Sequence, residues 1–178
     1  MPFDLQPLLK GELLELRPLR PEDFPALYAV ASDPLIWEQH PMQDRYKEEV
    51  FKAFFRDALD SGGALVATEI KDGSVIGSSR FYGYDQENSE IEIGWTFLAR
   101  PYWGGIYNRE MKHLMLRHAF QFVKSVVFFV GRQNLRSQKA LERIGAVRVA
   151  WRSRSDGSGS DSFVYRILAS EFLPARQV

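Results

Sequence analysis

Residues Trp95–Ala146 read WTFLARPYWGGIYNREMKHLMLRHAFQFVKSVVFFVGRQNLRSQKALERIGA, and this stretch decides the fold. A strand ends near Phe97. The turn Trp103-Gly104-Gly105-Ile106-Tyr107-Asn108 follows and opens a helix near Arg109. The apolar run Ser125–Val130 is a second strand, and Asn134 opens a short helix that stops at Gly145. Glycines allow close backbone approach to a ligand, and a helix start carries unpaired N–H groups. Amides and helix dipole together favour an anion such as a pyrophosphate. Asn108 is a suitable helix cap and Glu110 suits the first turn.

Outward from this stretch, the apolar period alternates between strand and helix. Leu13–Leu19 reads as a strand, and Arg20-Pro21-Glu22-Asp23 opens a helix to about Ala31. Residues 32–43 read as a linker. A helix over about 44–59 places Val50, Phe51, Phe54, Phe55, Ala58 and Leu59 on one face. Ala64–Ile70 and Val75–Tyr84 form a hairpin about Lys71-Asp72-Gly73, and Glu90–Phe97 is the next strand. Val147–Arg154 and Ser162–Leu168 read as a closing hairpin around the loop 155–160, whose Ser/Gly/Asp composition predicts mobility. The order β-α-α-β-β-β-α-β-α-β-β predicts an α/β fold, a mixed sheet with helices on both faces, in a single domain over 1–178.

The net charge is zero but unevenly spread. Residues 1–97 hold 9 Lys/Arg against 18 Asp/Glu, whereas residues 98–154 hold 12 against 2. Such a split draws a polyanion to the second half and a cation to the first. Cysteine is absent, which excludes disulfides, thiolate metal sites and a cysteine nucleophile. Three scattered histidines (His40, His113 and His118) give no expectation of a metal. The N-terminal segment breaks its apolar residues with charges, so neither a signal peptide nor a membrane span is expected, and the predicted location is cytoplasmic. Nucleic acid is not an expected partner, because no binding motif with interleaved exposed aromatics is present. Exposed aromatics would permit a homodimer.

The turn after Trp95 and the run Asn134-x-x-Ser137…Gly145-Ala146 together resemble the Gcn5-related N-acetyltransferase (GNAT) superfamily, especially its ribosomal-protein N-acetyltransferase branch. The similarity spans about Leu13–Leu168. The family's turn usually reads Arg/Gln-x-x-Gly-x-Gly/Ala; Trp103, Ile106 and Asn108 stand at its three defined positions here. The resemblance implies a GNAT-like acyl-CoA N-acyltransferase fold and acetyl-CoA as donor. It implies that the amides of Gly104–Arg109 hold the pyrophosphate, with Trp103, Ile106, Tyr107 and Asn108 in the turn. It also implies that backbone at Phe97 and Leu98 pairs with the pantetheine arm and that Asn134 contacts that arm. Asn134 is equally well suited to cap the helix it opens.

Acetyl transfer to an amine requires a proton acceptor before attack and, for the departing thiolate, a proton donor. Glu90 and Glu92 are the candidate bases, Glu92 first. Strand alternation puts both on one face with Gly94 and Thr96, and puts Ile91, Ile93, Trp95 and Phe97 on the other. The oxyanion needs an N–H, which the resemblance places near Phe97 or Leu98. Leu141 stands where many relatives carry a Tyr acid. Ser137 matches the serine that contacts sulfur in the ribosomal-protein branch, with Tyr107 as a lesser candidate. Trp37, His40, Arg80 and Tyr82 are candidates for the acceptor pocket, and His40 is also a candidate second base. The expected activity is N-acetylation of a primary amine, a protein N-terminus or a small molecule, by direct attack in a ternary complex. The alternative is a coenzyme A-binding regulatory or interaction module of the same fold with little catalysis.

Overall fold

The computed structural model describes residues 2–153 and 161–172, so the predicted mobile loop at 155–160 lies outside the described residues. Eight strands form one sheet in the order β1-β2-β3-β4-β5-β6-β8-β7. They are β1 (Leu9–Lys10), β2 (Leu14–Pro18), β3 (Ala64–Glu69), β4 (Val75–Asp85), β5 (Glu90–Leu98), β6 (Ser125–Gly131), β7 (Val147–Ser153) and β8 (Asp161–Leu168). The α-helices are α1 (Phe24–Ala31), α2 (Pro34–Trp37), α3 (Glu48–Asp60), α4 (Ile106–Ala119) and α5 (Leu135–Arg143). All neighbouring strands are antiparallel except β5 and β6. The expected mixed α/β architecture is therefore present. Three short elements add to the expected order: the two-residue β1, the single turn α2 inside the stretch read as a linker, and a 3-10 turn at Arg100–Tyr102; the helix expected from about 44 starts at Glu48, after a 3-10 turn at Gln43–Tyr46.

Each face of the sheet carries its own core. On one face Met111, Met115, Leu116 and Ala119 of α4 and Leu141 of α5 join Ile91, Ile93, Leu98, Phe81 and Phe128. On the other, Leu27 and Ala31 of α1, Trp37 of α2 and Phe51, Phe55 and Ala58 of α3 join Val66 and Phe97. The helical spacing of the apolar positions in α3 and α4 produces one buried stripe on each. Burying such stripes on a sheet stabilises by roughly 25 cal/mol per Å² of apolar surface removed from water.

One irregularity shapes the centre. In the β4–β5 ladder Ser78 faces Phe97 and Arg80 faces Gly94, so β5 holds one residue more than β4 across this interval. The extra residue is accommodated at Trp95, whose φ is 51°, a β-bulge with a left-handed residue. The bulge reverses the side-chain alternation. Ile91 and Ile93 lie in the α4 core, yet Phe97 lies in the α3 core, and Thr96 reaches α4 through Lys112. The predicted single face for Glu92, Gly94 and Thr96 is thus corrected: Trp95 and Phe97 share the Glu92 side, and Thr96 lies on the opposite one. A second irregularity at Gly83 (φ 63°) likewise parts Tyr84, which packs on Phe3, from Arg80 and Tyr82.

β5 and β6 pair only over Glu90–Glu92 and Ser125–Val127. Beyond Glu92 the strands splay, while β6 stays paired with β8 along its whole length. The open wedge exposes backbone groups of β5 that a sheet would ordinarily satisfy.

Candidate active site

A cavity of about 570 Å³ occupies the wedge. Glu92 to Leu98 form one wall and Phe128 to Gly131 the other; α4 and α5 close it on one side of the sheet, and Trp37, His40 and Arg45 on the other. It therefore opens to both sides of the sheet.

At the mouth, Gly104 (φ 101°) and Gly105 (φ 124°) adopt conformations that favour glycine. A Cβ at either position would meet nothing within 4 Å, so the turn is open on its outer side. Helix α4 begins at Ile106, earlier than expected, with Gly105 as its N-cap. Asn108 consequently lies inside the first turn instead of capping it. Among the described residues the amides of Gly104 to Asn108 donate to no protein acceptor, and the first amide of the helix to do so is that of Arg109, to Gly105 O at 2.9 Å. Five free N–H groups at a helix start form an anion cradle. Arg109 lines the cavity beside them.

Other turn residues point away. The Ile106 side chain is 62% exposed. Tyr107 donates to Glu69 Oε1 at 2.7 Å, and that hydrogen bond pushes its phenol up to about 12. It faces away from the cavity and is excluded as a proton donor there. Glu110 does not serve the helix dipole as expected. Its carboxylate accepts hydrogen bonds from the backbone amides of Glu12, Leu13 and Leu14, each at 2.9 Å, and so fixes α4 to the β1–β2 turn.

The wedge-facing backbone of β5 is divided between its two neighbours. Ala99 N donates to Ile76 O at 2.8 Å, and the Phe97 carbonyl points at Gly77, 2.1 Å from where a Cβ would stand. Both belong to the β4 side. Backbone groups alternate in direction along a strand, so Leu98 presents its N–H and C=O to the wedge, where Trp103 Nε1 donates to Leu98 O at 2.9 Å. Of Phe97 and Leu98, only Leu98 turns its N–H to the wedge. Phe97 contributes its ring, packed 5.1 Å from Trp37.

Asn134 is a helix cap, accepting from Ser137 N at 3.2 Å; it is buried and also lines the cavity. Ser137 and Leu141 follow it along the same wall. Arg136 donates to Ile36 O at 3.0 Å, its backbone amide donates to Gln39 Oε1 at 3.1 Å, and its guanidinium lies over the Trp103 ring. Pro41 rests on Gly131, where a Cβ would approach its ring to 2.8 Å, so only glycine lets the linker close over the end of β6.

Of the acidic pair, Glu92 is buried and lines the cavity. Glu90 is turned to the outer surface, accepting from Ser125 Oγ at 2.9 Å and pairing with Arg166 at 3.4 Å. The structure does not bring it to the cavity. Trp37 lines the cavity with its indole N–H held by Ala31 O at 2.7 Å. His40 also lines it, but burial, and then Arg45, push its imidazole down to about 3, far below the range of a working base at neutral pH. Arg80 does not reach the cavity. It is 2% exposed, paired with Asp57 at 2.8 Å and stacked 4.4 Å from Trp95. Tyr82 is half-exposed and meets the Trp95 ring edge-on at 5.3 Å. Both support Trp95, which does line the cavity.

Sequence reasoning missed Lys112, Thr96 and Arg136. Lys112 is buried on α4 and faces the cavity; its Nζ donates to Thr96 Oγ1 and lies 5.5 Å from the Phe128 ring centre. Burial pushes it down to about 7. The available signal was its spacing of four from Asn108 and three from Arg109, which puts all three on one helix face. Among the described residues no group of side chains could hold a metal ion, and no helix is long and apolar enough to cross a membrane.

A family model described as an acetyltransferase (GNAT) domain matches residues 14–147. The chain belongs to this family. It is accordingly an acyltransferase by family. A T. thermophilus protein described as an acetyltransferase is 31% identical, with a TM-score of 0.74 over 96% of this chain and 92% of that one. Spermidine N-acetyltransferase from Vibrio cholerae, solved with CoA and spermine, has a TM-score of 0.69 at 15% identity over 90% and 97%. Mycobacterium smegmatis RimJ, solved with CoA-disulfide, has a TM-score of 0.65 at 20% identity over 89% and 83%. These last two share the fold. No curated protein matches the chain by sequence.

Proposed function

We propose that the enzyme transfers the acetyl group of acetyl-CoA to a primary amine by direct attack in a ternary complex. The observation that carries this reading is the wedge between β5 and β6, with five free amides at its mouth and the buried Glu92 at its inner end. The pyrophosphate binds the amides of Gly104–Asn108, with Arg109 beside it. The pantetheine arm extends β5 as an added strand at Leu98 and passes Asn134. The Leu98 amide also faces the developing oxyanion.

Glu92 accepts the amine proton, directly or through one water. An α-amino group titrates near 8 and a lysine near about 10.4, so an acceptor must lose a proton before it can attack. Ser137 hydrogen-bonds the sulfur. The acceptor enters on the side of Trp37 and Trp95, where the acidic first half of the chain favours a cation. The neighbour solved with CoA and spermine supports an amine of this kind.

A thiol-release assay with acetyl-CoA over a panel of polyamines, amino acids and N-terminal peptides tests this. Amine-dependent release of coenzyme A is the expected result. Absence of acetyl-CoA binding at millimolar concentration, or of release with every amine, would overturn it.

A further inference from the structure

We propose that Lys112 is the proton donor to the departing coenzyme A thiolate. The inference rests on the acetyl-CoA reading above. The bulge at Trp95 gives the cavity two chemically distinct sides. Glu92, Trp95 and Phe97 face α1–α3, whereas Thr96 and Leu98 face α4 and α5. An amine that loses its proton to Glu92 adds from the first side, and the sulfur is left beside the second.

Few groups on that second side can release a proton. Leu141 is apolar, and Tyr107 is turned to Glu69. The hydroxyls of Ser137 and Thr96 ionise far above neutrality, and the guanidiniums of Arg109 and Arg143 do not deprotonate. Lys112 remains. Its ammonium is buried, lines the cavity, and among the described residues is held by a single hydroxyl acceptor, Thr96 Oγ1. Thr96 is in turn fixed by Ser79, 2.8 Å away. Such an environment leaves two ammonium protons for whatever enters the cavity.

Among the described residues the charged and titratable groups around the cavity, besides Lys112, are Glu92 from β5, Arg109 from the same helix, Arg136 and Arg143 from α5, and His40 and Arg45 from the segment before α3. β6 contributes Phe128, Phe129 and Val130. Burial alone lowers the Lys112 ammonium, to about 7. Since an ordinary thiol titrates near 8.5, the proton transfer runs downhill. In the step, the N–C bond forms, the C–S bond breaks, and the sulfur lone pair takes a proton from Lys112. Lys112 is left as a neutral amine and is recharged from solvent, while the protons lost by the acceptor pass to Glu92 and then to water.

The test uses the full chain and two donors, acetyl-CoA and the acetyl thioester of para-nitrothiophenol, whose thiolate departs without a proton. Lys112→Met is expected to lower kcat with acetyl-CoA by about 10²-fold or more. It should change the rate with the activated thioester little and remove the alkaline fall of the kcat–pH profile. Lys112→Arg keeps the charge without a releasable proton and should not restore the rate. Thr96→Val leaves Lys112 in place but removes the acceptor of its charged form, so the alkaline fall should move to lower pH. Equal losses with both donors, or an unchanged pH profile in both the Met and Val variants, would overturn the proposal. A wild-type chain that binds no acetyl-CoA would instead overturn the underlying reading.

Discussion

The guanidinium of Arg136 lies 4.0 Å from the centre of the Trp103 ring, joining α5 to the turn that precedes α4 across the mouth of the cavity. The same side chain reaches Ile36 O, so one residue draws together three segments distant in the chain. Arg136→Ala removes a stacked cation worth about 0.5–2 kcal/mol and one hydrogen bond. The KM for acetyl-CoA should rise about 2- to 30-fold by that arithmetic, with kcat less affected. Arg136→Lys should not restore it, because an ammonium neither stacks nor forks as a guanidinium does. Initial-rate kinetics against donor concentration check this.

Glu92→Gln keeps the shape of a buried side chain and abolishes its proton affinity. Turnover at saturating substrates should fall about 10²- to 10⁴-fold, and acetyl-CoA binding by calorimetry should be retained. An unchanged saturating rate would remove Glu92 as the base.

The imidazole of His40 titrates lower in the folded chain than in the unfolded one, so the unfolded chain binds the extra proton. Its contribution to stability is complete above pH 6.5 and is lost as pH falls toward about 3. His40→Asn should flatten the pH dependence of unfolding free energy in that window by up to about 1.4 kcal/mol per pH unit. Urea titrations at a series of pH values provide the measurement.

Lys112 carries the same sign at higher pH. Between about 7 and 10.5 the unfolded chain holds the proton that the folded chain releases, so stability rises with pH across this range. Below it the full cost of the buried charge is present. Lys112→Met should therefore stabilise the fold at neutral pH by about 1–4 kcal/mol, with the gain shrinking as pH approaches 10.5. A loss of stability at neutral pH would show that the ammonium is better solvated than its burial implies.

Much of this site is legible from residue order alone. The strand–turn–helix arrangement, the open glycine turn and the Asn134 cap follow from local chemistry, since each depends on neighbours within a few residues, whereas Glu92 and Ser137 are singled out with the help of the family resemblance. The reversal at Trp95 does not. A Trp carries no signal for a left-handed backbone, and regular alternation is the natural reading of Glu90–Leu98. Lys112 was hidden for another reason. Charges along a helix read as its solvated face, and only the wedge between β5 and β6 turns that face inward. The Arg80–Asp57 pair, 23 residues apart, likewise depends on how α3 settles on β4.

Glu110 is the final case. Its carboxylate gathers three amides that precede it by 96 to 98 residues, and the helix bearing it begins with the anion cradle. Contacts this remote in sequence form slowly, because the intervening chain must be closed into a loop before they bring any stabilisation. During synthesis the turn at residues 12–14 leaves the ribosome long before its partner is made, and it must wait for α4 to emerge. This end of the molecule is thus completed late, when the earliest part of the sheet and the central helix meet. A fragment ending before Glu110 would leave that turn without its anchor.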